Sequence, residues 1–103
     1  MALYIEIEKI LEKDGIGYYH VFTENYGGAD FYAGIDKKSQ KIICYLTSDF
    51  SNPIRIVDLN DPEERIGSLP GVSAGVLAKL FMKAEKVFKL DVFPKYLDYA
   101  AWL

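Results

Sequence analysis

The segment SAGVLAKLFMKAEKVFKL, residues 73–90, places Val76, Leu77, Leu80, Phe81, Ala84, Val87 and Phe88 at helical spacing, with Lys79, Lys83, Lys86 and Lys89 on the remaining arc. A helix with one apolar stripe is stable only against another apolar surface, and burying each large member is worth about 1.5 to 3 kcal/mol. The rest of the chain must therefore supply at least one apolar face. Its patterning says that this face belongs to a sheet.

Leu3, Ile5 and Ile7 alternate with Tyr4, Glu6 and Glu8, the period of a half-buried strand. Leu3, Ile7, Ile10 and Leu11 also fit a helical stripe, so residues 4–13 read either way until Asp14-Gly15 is considered. That pair takes the positive φ values of a tight hairpin and is followed at once by the aromatic, β-branched run IGYYHVFT, which favours strand. The segment TENYGGADFYAG then turns the chain at Gly27-Gly28 and starts a third strand, with Phe31, Ala33 and Ile35 opposed to Asp30, Tyr32 and Asp36. KIICYLT reads as a fourth strand, apolar enough to be buried on both faces. Pro53 leads into a fifth, IRIVDL, and such short connections favour an antiparallel meander.

NDPEERIG predicts one helical turn, capped by Asp61 with Pro62 at the first helical position and Glu64 as the capping-box acid. After the long helix, a short C-terminal helix is expected from Phe93, with Pro94 in its first turn and Phe93, Leu97, Ala100 and Ala101 in one stripe. The expectation is an α+β domain spanning 1–103: a sheet of about five strands in 1–58, a loop in 59–72, and helices in 73–103 packed on one sheet face. At 103 residues such a chain buries roughly 65% of its unfolded surface and folds alone.

Cys44 is the sole cysteine, which rules out an intrachain disulfide and fits a reducing compartment. The start MALYIEIEKI lacks the basic and apolar regions of a signal peptide, and no apolar run approaches the roughly 18 residues of a membrane span. A soluble, cytoplasmic protein is expected. The net charge of -3 is uneven: residues 1–70 hold seven Lys/Arg against twelve Asp/Glu, and residues 71–103 hold five against three.

Gly71-Val72-Ser73-Ala74-Gly75 matches the G-x-S-x-G of a nucleophile elbow, but a proline-containing loop stands where the buried strand should be, and the only histidine, His20, lies upstream. Ser73 as the helix N-cap explains the same residues. The spacing of a phosphate-binding loop is absent around Gly75 and Lys79. Asp58, Asn60 and Glu64 suggest a calcium loop, yet Glu63 replaces its glycine and Leu69 its bidentate acid. One histidine and one cysteine cannot build a zinc site, and they fall on strands separated by a third. Glu6 and Glu8 share a solvent-facing strand side, which needs no catalytic role. No cofactor is expected. Aromatic strands beside a lysine-rich helix would suit single-stranded nucleic acid, but the acidic first 70 residues would repel phosphate, and no nucleic-acid partner is expected.

With catalytic sets missing, the leading expectation is a non-catalytic module that binds another, basic protein through Glu24, Tyr26, Asp30, Tyr32 and Asp36. The short acidic, strand-rich layout with a C-terminal helix resembles immunity-type inhibitors of bacterial toxins, although no residue motif carries that likeness. The rival expectation is a ligand-binding protein or minor enzyme with a pocket between sheet and helix that holds His20 or Tyr26. A homodimer through Trp102-Leu103 or a strand edge is the third.

Overall fold

A computed structural model describes residues 5–24, 28–61, 63, 72 and 74–98. The chain folds as β1 (Glu6–Lys13), β2 (Ile16–Thr23), β3 (Ala29–Asp36), β4 (Lys41–Tyr45), β5 (Arg55–Asp58), α1 (Ala74–Phe88) and β6 (Tyr96–Asp98). The strands form one antiparallel sheet in the order β5-β4-β3-β2-β1-β6, a five-strand meander with a sixth strand added beside the first. The helix packs on one face of it.

The turns follow their residue chemistry. Asp14 and Gly15 have φ of 55° and 78° and close the β1–β2 hairpin as the sequence predicts, and Gly28 (φ 85°) exits the β2–β3 turn. Between β3 and β4, Oδ1 of Asp36 accepts hydrogen bonds from the backbone N–H groups of Lys38 and Ser39, so this acid shapes the turn. In β1 the register shifts between Lys9 and Leu11, leaving Ile10 as a bulge residue. The bulge resolves the double reading of residues 4–13. The apolar residues after it do not continue the inward alternation of Ile7 because one extra residue reverses the parity, and Leu11 lies opposite Tyr18 on the outer face.

The inner face carries Ile7, Tyr19, Val21, Phe31, Ala33, Ile35, Ile42, Cys44 and Val57, all fully buried. The stripe Val76, Leu77, Leu80, Phe81, Ala84 and Val87 covers them, and Phe88 packs partly buried at its end. This is the helix-on-sheet layer that the stripe demands. β4 is buried on both faces as its composition suggests: Ile42 and Cys44 face the helix, Tyr45 is buried and Ile43 half-buried on the outer face, and only Leu46, beyond the strand, is exposed. Among the described residues α1 is the one helix, and it layers one side of the sheet.

The expected C-terminal helix is replaced, over the described residues, by a strap and a strand. Phe93 is buried, Tyr19 Oη donates to the Pro94 carbonyl at 2.6 Å, and the Lys9 amide donates to the Lys95 carbonyl at 2.6 Å. Tyr96–Asp98 then pairs with β1. The physical reason is that β1 would otherwise present an open edge. Its unpaired backbone groups bind the extended segment that follows Pro94, and this outweighs the local helix preference of KYLD. Ala100, Ala101, Trp102 and Leu103 lie outside the described residues, as do Pro62, Glu64 and Ser73; α1 begins one residue after Ser73.

The strap rests on Gly17. A Cβ there would stand 2.4 Å from Cδ1 of Phe93, whose ring also lies 5.2 Å beneath Nζ of Lys37. Gly17→Ala is expected to destabilise the fold by about 1–3 kcal/mol, read from the urea midpoint, because the ring must move or the strap lift. Combination with Phe93→Leu should recover part of that loss. An equal loss in both backgrounds would mean that Phe93 is not the obstacle.

Candidate functional site on the outer sheet face

Side chains that alternate with the core point to the face opposite α1. Tyr18, His20 and Phe22 on β2 stand beside Asp30 and Tyr32 on β3 and Tyr45 on β4. Among the described residues no helix covers them. Phe50, from the β4–β5 loop, folds back onto these rings, at 4.5 Å from Tyr18, 5.8 Å from Tyr32 and 5.5 Å from Tyr45 between centroids, perpendicular to the last two. Tyr18 and Tyr45 are 6.3 Å apart. These separations fall in the range where aromatic pairs attract beyond their buried area.

His20 extends the cluster toward the β2–β3 turn. Its ring stacks on Tyr32 at 4.8 Å, lies 6.2 Å from Phe22, and donates from Nε2 to Oδ1 of Asp30 at 2.6 Å. The Asp30 side chain is 65% exposed, so it remains open to solvent on its other side. Glu6 and Glu8 occupy β1 register positions opposite Phe22 and His20. Glu8 accepts from Nζ of Lys95 at 3.3 Å and is hydrogen-bonded by Tyr96.

Of the residues singled out in the sequence, His20, Asp30 and Tyr32 are brought together, and Glu24 is exposed one residue beyond β2. Asp36 is not with them: it sits at the other end of β3, six residues and about 20 Å away. Tyr26 lies outside the described residues. Sequence reasoning missed Tyr45 and Phe50 as site members. Strand parity signals Tyr45, which lies opposite Tyr32 across β3–β4, but nothing local marks a loop phenylalanine as a ring contact of three strands.

The rival pocket is placed differently. A shallow, open groove of about 250 Å³ near the helix C-terminus is lined by Gln40, Leu59, Asn60, Glu85, Phe88 and Lys89; His20 is on the opposite side of the sheet. Cys44 faces the helix, so it cannot pair with His20 across the sheet. Among the described residues no group of three or more His, Cys, Asp or Glu is placed to hold a metal ion, and no helix is long and apolar enough to cross a membrane. No protein-family model matches the chain, and neither a curated protein nor a solved structure matches it.

Burial pushes the Cys44 thiol up from 9.0 to about 11, with the Arg55 guanidinium opposing the shift, and it raises the Tyr19 hydroxyl above its ordinary range, with Glu12 adding to it. In both cases the unfolded chain releases its proton first, so the stability these groups contribute is intact below the unfolded value and is lost as pH rises toward the folded one. Between pH 9 and 11 the thiol alone should lower stability by about 2–3 kcal/mol. In Cys44→Ala the alkaline decline should begin about one pH unit later, where the tyrosines take over, as measured by urea denaturation across that range.

Proposed function

We propose that the chain is a non-catalytic binding module that receives another protein on the outer sheet face. The observation that carries this reading is the ring cluster of Tyr18, His20, Phe22, Tyr32, Tyr45 and Phe50, in which Tyr45 is buried beneath its neighbours, the other rings are half-exposed, and no helix among the described residues lies over them. Tyrosines in such a position bring large, rigid contact area with few rotatable bonds and a polar tip, the properties of interface anchors. The partner's chemistry follows from the charges beside the rings. Glu6, Glu8 and Asp30 share this end of the face, Glu24 is adjacent, and Lys95 offsets Glu8. At the far end Lys41 stands between Asp36 and Asp58, a balanced set. A basic surface therefore fits the His20 end, with electrostatics guiding encounter and apolar ring burial supplying the hold.

In its sharpest form the reading is an immunity-type inhibitor that covers a basic toxin. Small size, an acidic sheet half and an open aromatic face all suit a protein whose task is to mask another.

Co-expression with the product of the adjacent gene tests it. The wild-type chain should form a complex and protect cells. Tyr32→Ala should weaken the complex by about 2 kcal/mol, roughly 30-fold, and Asp30→Lys should slow association further, with thermal midpoints near that of the wild type. Absence of a complex, or wild-type affinity in both variants, would remove the reading.

A further inference from the structure

We propose that Tyr18, Tyr32 and Tyr45 form a cup for one arginine side chain of the partner, and that Phe50 is a displaceable occupant of that cup. The inference rests on the protein-binding reading and names the anchor that the face would take.

Three observations converge. The tyrosines come from three adjacent strands, β2, β3 and β4, and all three rings meet on one side chain, Phe50. The sheet register fixes the backbone positions from which the three tyrosines project, independently of Phe50. The occupant, by contrast, is held in an unfavourable way. Phe50 has φ of 56°, the left-handed region, which is an outlier for a bulky aromatic residue, and Asn52 two residues on has φ of 54°. The loop's hydrogen bonds are local: Oδ1 of Asp49 accepts from Oγ1 of Thr47 and from the amide and hydroxyl of Ser51, the Phe50 amide donates to the Thr47 carbonyl, and the Ile54 amide donates to the Cys44 carbonyl at the loop's exit. Movement of Phe50 would release the left-handed backbone without breaking a strand.

The third observation is charge. The faces of aromatic rings carry negative electrostatic potential, and a guanidinium is flat, weakly hydrated and always charged, so it stacks on tyrosine where a neutral chain of similar length has only its apolar contact. The acids nearby point the same way: Asp30 lies on the cup's His20 side and Asp49 directly precedes Phe50 in the loop. Hydrogen bonds from Thr47 and Ser51 hold the Asp49 carboxyl below its ordinary range, which keeps it anionic.

The test uses N-acetyl-arginine-methylamide as the probe, with its norleucine counterpart as the neutral control, and reads the ring-proton shifts of the tyrosines by NMR. Phe50→Gly is the informative variant, since glycine accepts the left-handed conformation and removes only the ring; its amide spectrum reports whether the sheet is retained. The arginine probe should bind Phe50→Gly at least about tenfold more tightly than the wild type, shifting Tyr18, Tyr32 and Tyr45 together, and adding Tyr32→Ala to that variant should abolish the gain. Equal affinity in the two proteins, an equal response to the norleucine compound, or shifts that bypass the three tyrosines would overturn the proposal. Should the sheet not survive Phe50→Gly, Phe50→Ala serves with the same criteria. If the cup fails these tests while Tyr32→Ala and Asp30→Lys still weaken the protein complex, the binding reading stands without it.

Discussion

The burial of α1 against the inner face of the sheet is the interaction on which the rest depends. Six stripe residues from Val76 to Val87 and nine sheet residues from Ile7 to Val57 leave water together, and their hydrophobic transfer is the largest favourable contribution the fold contains. It also fixes strand register. Side chains alternate, so once Tyr19, Val21 and Phe31 face the helix, Tyr18, His20 and Tyr32 must face away. The outer aromatic surface is thus a by-product of core formation: the same parity that fills the core sets out the rings on the other side.

That other side explains much of what is unusual in the chain. Among the described residues one helix covers one sheet face, and the other face is aromatic rather than uniformly polar. The β4–β5 loop returns only Phe50 to it, in a backbone conformation that its side chain disfavours. A fold selected for stability alone would place a polar residue or a glycine there. The strain, the rings and the nearby acids are found at one location, and the binding proposal rests on this coincidence.

The legible parts of the structure were those governed by short-range pattern. The alternation of Phe31, Ala33 and Ile35, the turn at Asp14-Gly15 and the stripe of α1 each reflect neighbours within a few residues, and each stands where the pattern puts it. The segment KYLD was misread because its conformation depends on a strand at the other end of the described chain, with Tyr96 opposite Glu8 and Asp98 opposite Ile7: the backbone groups of β1 decide it, not its own propensity. For the site, His20, Asp30 and Tyr32 could be recognised individually, and their assembly follows from strand pairing. Phe50 could not be recognised, since its role arises only when a loop crosses three strands.

The sequence by itself determined the fold class, the meander, the helix and the sign of the charge on the sheet half, because these depend on periodicity, turn chemistry and composition. Only the tertiary structure decided which sheet face the helix covers, that the chain's last described segment closes the β1 edge as a strand, and that Phe50 sits in a ring of tyrosines. Those choices are settled by non-local competition for backbone hydrogen bonds and apolar surface, which no local window of the sequence contains.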